Sequence, residues 1–213
     1  MSAIATTTRR LPTLVFDLMD TVVVDPFFAD LPRRFGARLA ALKTARDPDV
    51  WPAFERGELD EATFLACFYR VPHPDLPTPA ELRDAIVARY RYVVGMPDLL
   101  SRLREAGEHL WALSNYPVWI AHVRRQLDLE ARFDGLIISC EIGARKPELA
   151  AFARAEATIG RDPGELVLID DRVSNCEAAQ RRGWGSLHFV SVARLQVDLI
   201  TRGYLRGLSE GYL

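Results

Sequence analysis

The sequence predicts an α/β fold: a doubly wound parallel sheet interrupted early by a mainly helical insertion. Three observations carry that prediction. Short unbroken apolar runs recur along the chain, segments with helical spacing lie between them, and one long stretch near the start has a different texture. Unbroken apolar runs suit strands covered on both faces, as in a parallel sheet flanked by helices. Strand and helix alternating from about residue 97 onward is the pattern of a doubly wound sheet.

In chain order, the Ser/Thr-rich residues 1–10 read as a flexible terminus, and Leu14-Val15-Phe16, running into Asp17, as a first buried strand. From Val22 to Val94 proline and aromatic residues dominate, with helical periods over Phe35–Leu42 and Leu82–Tyr90. Ten of the twenty aromatic residues fall in this third of the chain, which predicts a helical insertion with its own small core. Rings packed between helices explain them more simply than a wall for stacking a substrate. Pro97–Ala106 then sets Leu99, Leu100, Leu103 and Ala106 at helical spacing before a stop at Gly107. Strands follow at Leu110–Leu113 and Leu136–Ile138. Pro147–Ile159 enters on proline and leaves on Gly160, the asymmetry of a helix. Leu166–Ile169 is a fourth strand, Cys176–Arg182 a helix ending at Gly183, and Leu187–Val190 a fifth strand.

Composition narrows the classes of function. Apolar residues make up 49% of 213 residues and charged residues 26%, the balance of a globular chain able to bury a core. A formal charge of −2 without a basic block gives no footprint for nucleic acid. No apolar run reaches the length of a membrane span, and the first residues lack the apolar centre of a secretory signal. Cys67, Cys140 and Cys176 are scattered and odd in number, which points to a reducing compartment, the cytoplasm or an organelle such as a plastid.

Four short motifs fall where strands end, the edge at which open parallel sheets bind ligands. They are Phe16-Asp17-Leu18-Met19-Asp20-Thr21, Leu113-Ser114-Asn115, Arg145-Lys146-Pro147, and Ile169-Asp170-Asp171-Arg172 with Asn175. A carboxylate at a strand end can attack phosphorus and form an aspartyl-phosphate. Hard oxygen ligands can hold a Mg²⁺ ion that offsets the repulsion from a phosphate dianion. Lys146 offers a point charge, and Ser114 with nearby backbone N–H groups offers hydrogen bonds to phosphoryl oxygens. Asp170 and Asp171, adjacent like charges after an apolar strand, need a cation or base to compensate them.

The order of these motifs resembles that of the haloacid dehalogenase-like (HAD) hydrolase superfamily over essentially the whole chain. GMPDLLSRLREAGEHLWALSN is similar to the family's helix and second motif, GARKPELAAF to its lysine motif, and LVLIDDRVSNCEAAQRRGWGSLHF to its acidic motif. The resemblance implies a Rossmann-like core over residues 11–21 and 95–213, with a small helical cap over 22–94 inserted after the first strand. It implies Asp17 as nucleophile, Lys146, Ser114 and Asn115 around the phosphoryl group, and Mg²⁺ held by Asp17, the Met19 carbonyl and the pair Asp170 and Asp171. Asp170 is then a supporting acid beside Asp171. The implied substrate is a small phosphorylated metabolite, with no nucleic acid or membrane partner, and the protein a monomer or homodimer. FDLMDTVVVDPFF further resembles a plant-type branch that includes a flavin mononucleotide phosphatase, which makes flavin mononucleotide a named candidate.

One position departs from the pattern. Family phosphatases usually carry a second aspartate two residues after the nucleophile, which protonates the leaving group and then activates water. Here that position is Met19, whose thioether does neither, and Asp20 stands where the family often has glycine. General acid–base help is typically worth about 10²- to 10⁴-fold in rate. Three remedies are open: a leaving group that needs no proton, an acid from the cap with His73 as candidate, or Asp20 turned inward. Two alternatives follow: a weakly active or non-catalytic binding protein, and a metal-independent 2-haloacid dehalogenase. Among the rest, Thr21 is expected to hold its turn through its hydroxyl. Asn175 is expected to cap or tie a helix beginning near Cys176, positioning the acidic loop. His109, His122 and His188 are expected in surface or core roles, and Arg33-Arg34 as solvated charges that could meet an anion.

Overall fold

The computed structural model describes residues 11–30, 33, 36, 45–70 and 76–205. Five strands form one sheet: β1 Thr13–Phe16, β2 Leu110–Ser114, β3 Gly135–Ile138, β4 Leu166–Asp170 and β5 Gly185–His188. The order is β3-β2-β1-β4-β5 and every pairing is parallel. Leu14 pairs with Leu110 on one side and Val167 on the other, which brings the carboxyl ends of β1, β2 and β4 level. After β3 the chain returns to the far side of β1, so a topological switch lies beside Asp17. That is the expected place for a ligand in such a sheet.

Burial explains which strands could be read from sequence. The three inner strands are apolar and almost wholly buried, whereas β3 and β5 are half-exposed at the edges. The fifth strand is therefore shifted from its expected span, with Gly185 and Ser186 in the ladder and Phe189 beyond it. The Phe189 amide turns instead to the Asp170 carbonyl, at 2.8 Å.

Alternate residues of each strand face opposite layers. Leu14 and Phe16 join a large core with Leu99, Leu100 and Leu103, whereas Val15 and Leu168 join a second one with Phe152, Ala155 and Ala178.

The insertion after β1 supplies α1 Pro26–Ala29, α2 Val50–Glu55, α3 Glu61–Cys67 and α4 Pro79–Val87. Thr78 and Glu81 form a reciprocal capping box, so α4 starts and ends about three residues earlier than the periodicity of Leu82–Tyr90 suggests. The expected helix over Phe35–Leu42 lies outside the described residues. Val24 donates to the Arg91 carbonyl and Val93 to that of Val22, both at 2.9 Å, so the chain enters and leaves the insertion along paired segments.

Among the described residues the insertion does not keep a separate core but joins that of the sheet's helical layer. Phe54 stacks on Phe64 at 4.1 Å between centroids, and both meet Trp119 edge-on, at 5.3 and 5.5 Å. Trp119 comes from the sheet-forming part of the chain, where it begins α6 Ile120–Leu127.

The remaining helices are α5 Met96–Glu105, which precedes β2, then α7 Ser139–Ile142, α8 Leu149–Ile159, α9 Val173–Arg181 and α10 Val192–Thr201. Gly107 and Gly160, the expected stops of α5 and α8, both take the left-handed region, φ 85° and 70°. Helix α8 starts at Leu149, not Pro147, because Glu148 is still extended, and α9 starts three residues before Cys176. Among the described residues no helix is long and apolar enough to cross a membrane.

Candidate active site

All four sequence motifs converge at the carboxyl ends of β1, β2 and β4. Asp17 leaves β1 with its amide donating to the Ile169 carbonyl at 2.8 Å, and its side chain is buried. Lys146, on the loop between α7 and α8, is 1% exposed. Its Nζ donates to Asp17 Oδ1 at 2.7 Å and to Asp170 Oδ2 at 2.5 Å. Charge-assisted bonds of this length, away from water, are strong.

Each partner is itself held. The Asn115 side chain clamps the Lys146 main chain: Lys146 N donates to Asn115 Oδ1, and Asn115 Nδ2 donates back to the Lys146 carbonyl, both at 2.7 Å. That leaves the Asn115 backbone as the better candidate for contact with a bound anion. Asp170 Oδ1 accepts from Arg172 N at 2.9 Å, and Asn175 Nδ2 lies 3.0 and 3.1 Å from the two oxygens. Asn175, inside the first turn of α9, does not cap that helix but ties it to the acidic motif, positioning the Asp170 loop as expected. The reason it does not cap is that the Asp170 carboxylate itself accepts an amide at the start of the helix. The Thr21 hydroxyl, expected to hold its own turn, instead accepts from the Asp171 amide at 3.2 Å and ties the first motif to the last. Ser114 Oγ is buried without a hydrogen-bond partner, an uncommon state that an incoming acceptor would relieve.

Carboxylate oxygens of Asp17, Asp170 and Asp171 lie within 4.8 Å of one another. Burial, resisted by Lys146 and reinforced by Asp170, pushes the Asp17 carboxyl up to about 7. Burial and then Asp170 also raise Asp171. Burial alone would lower the Lys146 ammonium, but Asp17 and Asp170 outweigh it and hold Lys146 above its ordinary value. Three hard oxygen donors against one ammonium leave an excess of negative charge. This donor set fits a divalent cation such as Mg²⁺.

A cavity of about 290 Å³ is lined by Asp17, Met19 and Asp171. Phe27, Trp51, Phe68 and Tyr116 supply aromatic walls, and Arg46, Arg145 and Arg172 supply positive charge. Arg145 is paired with the buried Glu55 at 2.7 Å. Some of the insertion's rings therefore do border a ligand space, while Phe54 and Phe64 only pack. Asp20 does not turn inward: it is exposed, sits at φ 57°, and its Oδ1 accepts from the Asp25 amide at 2.9 Å. A positive φ is where glycine is favoured, so Asp20 occupies a backbone position suited to the residue it replaces. His73 and Arg34 lie outside the described residues; Arg33 is exposed. His109 pairs with Asp134, His122 lies beside Arg125, and His188 contacts the Asp171 carbonyl, so none of the three enters the cavity.

A family model of the haloacid dehalogenase-like hydrolases matches residues 12–183, which include all four motifs. The chain belongs to that family of hydrolases. It is 34% identical over 195 residues to flavin mononucleotide hydrolase 1, a chloroplastic protein of Arabidopsis thaliana, covering 92% of this chain and 79% of the relative. It is 28% identical to a sesquiterpene phosphatase of Aspergillus oryzae, covering 70% and 77%. Among solved structures, a HAD enzyme of Bacteroides thetaiotaomicron in complex with magnesium and inorganic phosphate superimposes with a TM-score of 0.66. That match is 20% identical and covers 86% of this chain and 96% of the other, so it bears on the fold alone.

The motif residues of this HAD hydrolase were legible from spacing; several cavity residues were not. Glu55 and Tyr116 carry no local signal for a site. Nor does Asp25, although an aspartate before a proline reads as the start of a helix. The structure bears that out, with Oδ1 accepting from Phe27 N at 2.8 Å.

Proposed function

We propose that this HAD hydrolase is a Mg²⁺-dependent phosphatase of a small phosphomonoester, with flavin mononucleotide the first candidate substrate. The observation that carries the reading is Lys146 bridging Asp17 and Asp170 while Asp171 lies within a cation's reach of both.

Asp17 is the nucleophile, and Asp17, Asp171 and the Met19 carbonyl would hold Mg²⁺. When bound, the cation supplies charge that offsets the repulsion between a carboxylate and a phosphate dianion. Asp170, whose oxygens already accept from Lys146, Asn175 and Arg172, keeps the lysine in place instead of ligating directly. Lys146, Ser114 Oγ and the Asn115 amide receive the phosphoryl oxygens. Asp17 attacks phosphorus, the ester oxygen departs, and water then cleaves the aspartyl-phosphate to release phosphate and restore Asp17.

Residues 22–94 act as a cap that shapes the cavity and selects the substrate. Support for a flavin comes from the named activity of the Arabidopsis relative and from the rings of Trp51, Phe27, Phe68 and Tyr116, which line the same cavity as Asp17.

The test is phosphate release from flavin mononucleotide, aryl phosphates, sugar phosphates and prenyl phosphates, with Mg²⁺ and with a chelator. The expected result is turnover that needs Mg²⁺ and falls by at least about 10³-fold in Asp17→Asn. Folded, Mg²⁺-binding protein without turnover on any substrate makes it a binding protein. Halide release from 2-chloropropionate in chelator makes it a dehalogenase.

A further inference from the structure

Met19 leaves the proposed reaction without its usual proton donor, and Asp20 is committed elsewhere. Among the described residues the cavity offers few replacements. Of its carboxylates, Asp17 and Asp171 belong to the proposed metal site and Glu55 is engaged by Arg145 at 2.7 Å and by Trp51 Nε1, also at 2.7 Å. The Tyr116 hydroxyl is 2.6 Å from that of Tyr90, and its burial holds it well above the usual phenol range. Asp25 remains. It sits on the segment that carries the chain from the first motif into the insertion, it lines the cavity shared with Asp17 and Met19, and its carboxylate accepts from a backbone amide. Among the described residues no basic side chain pairs with it.

We infer that Asp25 is the general acid and base of this enzyme, taking the place of the aspartate that Met19 has replaced. This rests on the phosphatase reading above. In the first half-reaction an Asp17 oxygen bonds to phosphorus and the bond from phosphorus to the ester oxygen breaks. The Asp25 carboxylic acid gives its proton to that oxygen, so the product leaves as a neutral alcohol and Asp25 as a carboxylate. In the second, Asp25 takes a proton from water as the water oxygen bonds to phosphorus. The bond to Asp17 breaks, inorganic phosphate leaves, and both carboxyl groups return to their starting states.

The surroundings suit a group that must exist in both forms. Burial raises Asp25 to about 6, opposed by the Phe27 amide, with Asp20 raising it further and Arg172 lowering it. Glu55 from α2 also faces it, and the hydroxyls of Tyr90 and Tyr116 lie within its field. An acid near the working pH is the one best placed to donate and then accept. Its helix-capping role is separable, because asparagine and serine cap as well as aspartate does.

The experiment compares wild type, Asp25→Asn and Asp25→Ser, in Mg²⁺, on two substrates: an alkyl phosphate and 2,4-dinitrophenyl phosphate. The alkoxide needs a proton to leave; dinitrophenolate does not. With the alkyl ester, kcat/KM should fall by about 10²- to 10⁴-fold in both variants. With the dinitrophenyl ester, both should show a burst of about one equivalent of phenol followed by slow turnover. That pattern marks an aspartyl-phosphate that forms but is not hydrolysed. Placing Met19→Asp in the Asp25→Asn chain should restore turnover of the alkyl ester. Equal losses on both substrates without a burst, or alkyl turnover kept within about threefold, overturn the assignment of Asp25. An inactive wild type overturns the phosphatase reading itself, and the assignment with it.

Discussion

Removing the charge of Lys146 while keeping the length of its side chain, as in Lys146→Met, strips the compensation from two buried carboxylates at once. The ammonium is 2.7 Å from Asp17 and 2.5 Å from Asp170, and almost no solvent reaches any of the three. Deleting one partner of a buried pair destabilises by about 3–5 kcal/mol. For a chain of this length that lowers Tm by about 6–20 °C. The direction with pH follows from Asp17, already held near 7 by burial. A carboxyl whose folded pKa is raised adds stability below its unfolded value, and that stability is lost as pH rises through the folded one. Without Lys146 the Asp17 pKa rises further, so the variant's deficit should be small at pH 5 and largest at pH 8. Adding Asp170→Asn should recover part of the loss, because it removes one of the two stranded charges. The assay is thermal unfolding in chelator at both pH values. A variant that melts within about 2 °C of wild type at pH 8, less than one kcal/mol on this scale, would refute the claim that the lysine compensates Asp17 and Asp170.

Three further outcomes follow from the same contacts. Asp25, at about 6 in the fold against an ordinary 3.8, stabilises below pH 4 and loses that contribution as pH rises through 6. Asp25→Asn should therefore gain up to about 3 kcal/mol in urea unfolding at pH 8 and flatten the slope between pH 4 and 6; an unchanged slope contradicts the burial argument. Asn115→Ala removes both 2.7 Å bonds to the Lys146 main chain and should lose about 2 kcal/mol, with kcat/KM falling more than Tm alone would suggest. Thr21→Val strands the Asp171 amide and should weaken Mg²⁺ binding several-fold in calorimetry; an unaltered affinity means that the tie between the first and last motifs is dispensable.

What could be read from the sequence, and what could not, divides by the range of the interaction. The strands that became β1, β2 and β4 were legible because burial on both faces demands unbroken apolar runs. β5, at an edge, carries Gly185 and Ser186 where no apolar signal is required. Three of the motifs were legible because each follows a strand and a parallel sheet gathers such ends; the lysine motif, expected at a strand end as well, follows the short helix α7 and reaches the site from its loop. The division of labour among them was not legible. Whereas the local tie of Asn175 to the acidic loop was expected, that Asn115 clamps a lysine 31 residues away depends on which loops meet across the sheet edge. The expected separate core of the insertion failed for the same reason, since Trp119 enters it from a distant part of the chain. Asp25 was readable as the start of a helix but not as a wall of the cavity.

The most direct test follows the phosphoryl group itself. Protein quenched in acid during turnover with Mg²⁺ is digested and examined by mass spectrometry. A phosphoryl adduct on the peptide bearing Asp17, decaying on hydrolysis and absent from Asp17→Asn, is the predicted result. Phosphate released with no adduct, or with the adduct on another residue, contradicts the account.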